Sequence, residues 1–260
     1  MNLRRRTTVA VAAGVVLAAV AGYRTRVRPW LAHWGATPDE VDATLPGDEL
    51  VDGTGPRTTR ALTIDAPPAT VWPWLAQIGE DRAGFYSYAW LERLAGCAIH
   101  NADGIHPEWE HREAGETVWL AQRYRELGRQ VVARIEPERV FAMVSPVDWD
   151  AIARGDRATG AWTFVLEPVP DGRTRLLARG SGGAVGTFVF DVAHFVMEQK
   201  MMRGIKQRAE QEPSADVHDP AEAEIAQGVR HARGDHGELV GEQDDPEDRE
   251  DPRRHERDRA

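Results

Sequence analysis

Residues 185–211 read VGTFVFDVAHFVMEQKMMRGIKQRAEQ and predict one long helix near the end of the chain. The first half of this helix is apolar on nearly every side, whereas the second half is charged along one face, at Lys200, Arg203, Lys206, Arg208 and Glu210. A helix that is apolar all round is a buried helix, and other elements must surround it. We therefore expect a sheet to enclose the beginning of this helix.

Five short β-rich segments precede the helix. Their alternating side chains, and the Gly, Pro or Asp residues between most of them, are typical of antiparallel strands joined by turns. Pro170-Asp171-Gly172 is one such turn, since glycine readily adopts the positive φ that many turns require. The five predicted strands are residues 117–121, 129–136, 140–144, 161–167 and 174–179.

One more strand and two helices come before these five strands. Residues 57–65 predict a strand with one buried face, because Leu62 and Ile64 alternate with threonines and an alanine. Pro67-Pro68 then fits the first turn of a helix, whose apolar stripe is Val71, Trp74, Leu75 and Ile78. Residues 87–94 predict a second, short helix whose inward side chains are Trp90, Leu91 and Leu94.

This order of elements predicts an α+β fold with the helix-grip arrangement, a curved antiparallel sheet wrapped around a long C-terminal helix. An N-terminal hydrophobic helix and a C-terminal disordered tail are expected outside it. A sheet that grips a helix in this way leaves a cavity that both elements line.

Charge is distributed unevenly along the chain. The chain has 32 basic and 42 acidic side chains, a formal net charge of −10. Residues 29–211 carry 19 basic and 26 acidic side chains, so no folded part is basic, which disfavours nucleic acid as a partner. The lone Cys97 excludes an internal disulfide and any thiolate-rich metal site.

The N-terminal segment, residues 1–28, carries six Arg and no acidic residue, and residues 7–23 carry no charge. This stretch lies at the lower limit of about 20 residues that span a bilayer. It also fits a secretory signal with Ala19-Val20-Ala21 as the cleavage site. A single-pass anchor in the cell membrane, a cleaved export signal and a buried helix stay open. Three Arg flank each end, so the positive-inside rule selects neither side of the membrane.

The C-terminal segment, residues 212–260, has 7 basic and 16 acidic side chains and few large apolar ones. Such a composition cannot offset the entropy lost on ordering, so we expect a disordered acidic tail. The tail is either solubilising or a docking segment for a basic partner. The expected domains are therefore a membrane anchor or signal (1–28), one folded domain (29–211) and this tail (212–260).

Four segments carry a resemblance to a known family. They are residues 34–41 (WGATPDEV), 63–75 (TIDAPPATVWPWL), 83–92 (AGFYSYAWLE) and 102–108 (ADGIHPE). Together they resemble the START-like (SRPBCC) helix-grip superfamily, in its polyketide cyclase/dehydrase-like branch. The resemblance implies a container fold that binds lipids, quinones, hormones or polyketides, in which only some members are enzymes. It implies no fixed catalytic triad and no cofactor.

Aromatic and apolar side chains are the ligand-contact candidates, because flat rings bury much area at little entropic cost. The alternative for each of them is ordinary packing in the core. The candidates are Tyr86, Tyr88, Trp90, Trp119, Trp162, Phe188, Val192 and Phe195, with Phe85 a weaker one.

Asp103, His106 and His194 are the candidates for acid–base chemistry. Asp103 and His106 belong to a polar cluster, residues 100–111, whose spacing and Pro107 do not fit a metal site, so we predict no metal. A loop held by hydrogen bonds is the alternative for this cluster. His194 either pairs with Asp191 or points into the cavity.

The sequence thus predicts binding, transport or sequestration of a hydrophobic small molecule or lipid in a central cavity at a membrane. One alternative is a cyclase- or dehydratase-type enzyme with a polyketide-like substrate. Another is an interaction protein that acts through its acidic tail. Whether the chain is an enzyme stays open at this point.

Overall fold

The computed structural model describes residues 3–94 and 96–211, with side chains from residue 13 onward. The predicted acidic tail, residues 212–260, lies outside the described residues.

Six strands and seven α-helices make up the described chain. The strands are β1 Arg57–Ile64, β2 Thr117–Trp119, β3 Arg129–Glu136, β4 Val140–Val144, β5 Gly160–Val169 and β6 Arg173–Gly182. The helices are α1 Leu3–Gly22, α2 Arg28–Ala32, α3 Pro38–Asp42, α4 Pro68–Ala76, α5 Ala89–Leu94, α6 Pro146–Ala153 and α7 Phe188–Gln211. A π-helical turn, Tyr23–Val27, joins α1 to α2. The loops contain four 3₁₀ turns, at Asp48–Leu50, Pro107–Trp109, Gln122–Gly128 and Pro170–Gly172.

The strands form one antiparallel sheet in the order β1-β6-β5-β4-β3-β2. A register shift between Val132 and Arg134 bends β3 where it pairs with β4, as a β-bulge does. Helix α7 lies on the inner face of the sheet and contacts α4, α2 and β1. The predicted α+β helix-grip fold is confirmed.

The main core fills the space between the sheet, α4 and α7. Trp74 of α4, Phe141 and Phe164 of the sheet and Met202 and Ile205 of α7 are all buried in it. Each large apolar side chain removed from water stabilises the fold by about 1.5–3 kcal/mol. This end of the α7 interface is solidly packed.

The outer face of the sheet is covered by a segment that the sequence did not predict to lie there. Leu45 packs against Ala61, Val165 and Leu177 of the sheet. Two ion pairs hold the same segment, Arg175 Nε to Glu40 Oε1 at 2.7 Å and Arg179 to Asp48. The sheet is therefore buried on both faces over its centre.

Helix α5 presents a different face from the one that its sequence predicts. Trp90 is 57% exposed and Leu94 is 78% exposed, whereas Glu92 is only 8% exposed. A helix of six residues makes fewer than two turns, so the contacts at its ends decide which face is buried more than its apolar side chains do. The Ser87 hydroxyl just before α5 donates to the Met197 carbonyl oxygen of α7 at 3.1 Å, and this bond ties the start of α5 to α7.

The N-terminal helix α1 includes most of the predicted membrane segment, residues 7–23. The side chains of residues 1–12 lie outside the described part of the chain, and the beginning of the predicted membrane segment, residues 7–12, belongs to these residues. Within the part that is described, no helix has the length and apolar character needed to cross a membrane. The turn after α1 contacts α7, where the rings of Tyr23 and Phe188 meet edge to face at 4.8 Å.

Candidate functional site

A cavity of about 540 Å³ lies between the inner face of the sheet and the first half of α7. This volume is within the range of pockets that hold drug-sized ligands, about 300–1,000 Å³. Most of the lining side chains are apolar, and the larger ones are Phe85, Leu91, Ile99, Leu120, Trp162, Phe190, Met197 and Met201.

Small residues at the ends of two strands leave the room for this cavity. Gly160 and Ala161 of β5 and Gly180 and Ser181 of β6 line it, as does the following Gly183. Gly180 is opposite Trp162 in the sheet, so the indole has no side chain beside it there. The glycine-rich segment between β6 and α7 is thus part of the cavity wall.

A buried polar network forms one wall. The Arg60 guanidinium of β1 donates to Glu198 Oε2 of α7 at 2.5 Å, and both side chains are 1% exposed. Trp162 Nε1 donates to Glu198 Oε1 at 2.6 Å, so each carboxylate oxygen has a donor. Arg60 Nε also donates to the Leu31 carbonyl oxygen at 2.8 Å.

The pKa of Glu198 reflects this network. Burial by itself would raise the pKa, but the charge of Arg60 and the hydrogen bonds from Arg60 and Trp162 bring it below its ordinary value. Glu198 is therefore ionised inside the protein, with its charge balanced by Arg60.

His194 is held in a defined tautomer next to this network. Arg60 Nη1 lies 3.0 Å from His194 Nδ1, and a guanidinium can only donate, so Nδ1 accepts and the proton is on Nε2. Burial lowers the pKa of His194, and the Arg60 charge lowers it further against the opposing effect of Glu198. A neutral imidazole that stacks on Phe190 at 4.9 Å therefore lines the cavity.

Glu92 of α5 lines the same cavity and differs from Glu198 in its surroundings. Its Oε2 atom is buried and has no hydrogen-bond partner among the described residues. Burial raises the pKa of Glu92 to about 7, and nearby Glu80 raises it as well, against a smaller lowering by Arg93. Burial likewise raises the pKa of Cys97, which is also in the lining.

Of the predicted ligand-contact residues, Trp162 lines the cavity, and so does the weaker candidate Phe85. Tyr86 is buried in the core, where its hydroxyl accepts from Gln77 Nε2 at 2.7 Å and its backbone has a φ of 53°. Phe195 faces the other side of α7, with its ring 5.2 Å from that of Trp30. The remaining predicted contacts are not in the lining, namely Tyr88, Trp90, Trp119, Phe188 and Val192.

Of the predicted acid–base residues, only His194 lines the cavity. Asp103 is on the surface beside Arg208 Nη2 at 3.2 Å, and His106 lies against the Trp109 ring at 4.2 Å. Among the described residues, no group of three or more His, Cys, Asp or Glu is arranged to hold a metal. Asp191 does not pair with His194, because Arg28 Nε and the Gly186 N–H occupy its carboxylate at 3.3 and 2.8 Å.

The sequence analysis missed Arg60, Glu198 and Glu92 as site residues. A signal existed for the first two, because Arg60 shares the inner face of β1 with Leu62 and Ile64, and Glu198 is one helical turn after His194. Opposite charges on two faces that must meet indicate a buried pair. Glu92 had no such signal, because its burial depends on the rotation of α5.

Neither protein-family models nor curated proteins match this sequence. A solved structure of a Polyketide_cyc-like protein from Corynebacterium glutamicum is 18% identical, with 72% of this chain and 99% of that chain covered and a TM-score of 0.30.

Two further solved structures are similar to this chain. The Aha1 dimer from Colwellia psychrerythraea is 16% identical over 60% of this chain and 97% of that chain, with a TM-score of 0.35. A protein from Nitrosomonas europaea is 13% identical over 65% and 99%, with a TM-score of 0.40. At the level of the fold, the resemblance to the START-like helix-grip superfamily agrees with the observed architecture, an antiparallel sheet of six strands that encloses α7.

Proposed function

We propose that this protein binds a hydrophobic small molecule in the cavity between the sheet and α7. The observation that carries the proposal is the volume of about 540 Å³ together with its largely apolar lining. Most of the gain on binding comes from apolar surface removed from water, at about 25 cal/mol per Å². Part of that gain is offset by the lost freedom of the ligand, so we expect micromolar affinity for simple aromatic compounds.

The test is isothermal titration calorimetry of the full chain with 2-isopropylnaphthalene, an uncharged aromatic hydrocarbon. Binding with a negative heat-capacity change is expected, because apolar surface is buried. The variant Val185→Trp enlarges a lining side chain that lies beside Gly180 on the inner face of the sheet, and it should weaken this binding strongly. Val147→Trp makes the same change at an exposed position of α6 and should leave the binding unchanged. If neither the wild type nor Val147→Trp binds the hydrocarbon, the proposal is overturned.

Catalysis, with a polyketide-like substrate, is the second candidate function. The observation that favours it is the neutral His194 imidazole, whose Nε2 carries the proton and whose ring is in the cavity lining. Such a group can donate a hydrogen bond to a bound carbonyl oxygen and polarise the carbonyl group. Binding is preferred as the main function because the other ionisable residue of this wall, Glu198, is already saturated by Arg60 and Trp162.

Two further expectations concern segments outside the folded part. Attachment to a membrane through residues 7–23 stays a prediction, as does a docking role for residues 212–260. A membrane tether would increase the concentration of the cavity where apolar ligands partition, which suits the proposed function.

A further inference from the structure

A second inference concerns the polar end of the ligand and rests on the proposed function. Glu92 is the feature that the binding of a hydrocarbon leaves unexplained. Its side chain is 8% exposed, it lines the cavity, and its buried Oε2 has no partner among the described residues. Native proteins rarely leave a buried carboxyl oxygen without a hydrogen bond, because the lost solvation costs about 1–3 kcal/mol.

We propose that Glu92 is a ligand-binding residue whose neutral carboxyl group donates a hydrogen bond to a carbonyl-type oxygen of an otherwise apolar ligand. The ligand class is therefore an uncharged hydrophobic compound with one hydrogen-bond acceptor, such as an aromatic or alicyclic ketone. No bond is made or broken in this step.

The charged groups around Glu92 support a neutral carboxyl group. Glu80 contributes negative charge, and its own oxygens are taken by the backbone N–H groups of Ala98, at 2.6 Å, and Gln122. Cys97, whose thiol pKa is raised by burial, by Glu80 and by Glu92, adds no positive charge.

Two arginines are close to this region. Arg93, the next residue of α5, lowers the Glu92 pKa by less than burial raises it, and it forms no ion pair with Glu92 among the described residues. Arg123 acts on Cys97 and packs beside Gly96. The two charged groups at the other wall, Arg60 and Glu198, are paired with each other.

A neutral acceptor suits this wall better than a cationic ligand. A ligand ammonium group would have to leave water for an apolar cavity. A single carboxylate offsets this loss of solvation only when the geometry is excellent and further hydrogen bonds are made. A ketone oxygen loses much less solvation and gains a hydrogen bond from the neutral Glu92 carboxyl group. With a pKa of about 7, Glu92 supplies this donor below neutral pH and loses it above.

The test compares three probes of nearly equal shape, titrated into the full chain by calorimetry at pH 5.5 and pH 8.5. They are 2-acetylnaphthalene (a ketone), 2-isopropylnaphthalene (a hydrocarbon) and 1-(2-naphthyl)ethylamine (a cation). At pH 5.5 the ketone should bind about fivefold tighter than the hydrocarbon, which corresponds to one buried hydrogen bond. At pH 8.5 this preference should disappear, while the affinity for the hydrocarbon stays similar.

Two variants separate Glu92 from other donors in the cavity. Glu92→Leu should remove the ketone preference at both pH values. Glu92→Gln keeps an N–H donor of similar shape, so it should keep the preference and make it independent of pH.

Each unfavourable outcome is distinct. A ketone preference that persists in Glu92→Leu, or a preference for the amine at pH 8.5, overturns the assignment of Glu92. Equal binding of ketone and hydrocarbon at pH 5.5 overturns it as well, although the proposed function then stands. Absence of binding by all three probes overturns the proposed function.

Discussion

Two carboxyl groups of the same cavity show opposite responses to burial. Glu198 is surrounded by donors from Arg60 and Trp162, and its pKa is lowered although it is 2% exposed. Glu92 has an oxygen to which none of the described residues donates, and burial raises its pKa to about 7. Burial is similar in the two regions, so the donors decide the charge. The Glu198 carboxylate is saturated by protein donors, whereas the Glu92 carboxyl group is the one that we propose binds a ligand.

The largest effect on the free energy of unfolding is expected when Arg60, the cation that pairs with Glu198, is replaced. Arg60→Met should lower the free energy of unfolding by about 3–5 kcal/mol, because a carboxylate is left buried without its charge partner. Urea denaturation at pH 7 measures this loss.

The matched control is Arg154→Met, since the Arg154 pair with Asp156 is long, at 4.0 Å, and exposed. It should change the free energy by no more than about 0.5 kcal/mol. The double variant Arg60→Met/Glu198→Met should regain most of the stability, because two apolar side chains replace the ion pair. If Arg60→Met loses less than about 1 kcal/mol, the contrast between the two carboxyl groups is wrong.

The next largest effect is a pH dependence that originates at Glu92. A carboxyl group with a raised pKa binds its proton more tightly in the folded state, so its contribution to stability is present below pH 4.5. This contribution falls as the pH rises from 4.5 to about 7. A rise from 4.5 to about 7 corresponds to about 3 kcal/mol lost above pH 7.

Glu92→Gln removes that loss. It should match the wild type at pH 4.5 and exceed its free energy of unfolding by up to about 3 kcal/mol at pH 8. Urea denaturation of both proteins at several pH values between 4.5 and 8 measures the difference. A difference that is constant over this range would mean that Glu92 keeps an ordinary pKa.

The surroundings of Glu198 could be predicted from the sequence, whereas those of Glu92 could not. Strand alternation in residues 57–64 and the apolar start of α7 predict which faces meet, so the fold and the position of the cavity follow from the sequence. The Arg60–Glu198 pair lies on those predicted faces and was within reach of the same reasoning. Local periodicity was sufficient there because the strand and the helix are long enough to define a face.

The Glu92 region depends on interactions that periodicity does not contain. Apolar content predicts that Trp90 and Leu94 face inward, but the short helix α5 is oriented by the link from Ser87 to Met197. Tyr86 is an aromatic candidate that is likewise placed by a distant element, because its backbone lies against Gly204 of α7. Side chains on short elements are positioned by long-range contacts, and a single sequence does not show these.

The smallest effect on the free energy of unfolding is expected when Glu198 loses a neutral donor and keeps its charge partner Arg60. Trp162→Phe deletes the Nε1 donor to Glu198 Oε1 and should lower the free energy of unfolding by about 1–2 kcal/mol at pH 7. Trp90→Phe makes the same change at an exposed position of α5 and should have an effect within about 0.5 kcal/mol. The loss in Trp162→Phe should become smaller as the pH falls, because a protonated Glu198 needs one hydrogen-bond donor fewer. A loss that does not change with pH would mean that Trp162 stabilises the fold by packing, and that Arg60 alone keeps Glu198 ionised.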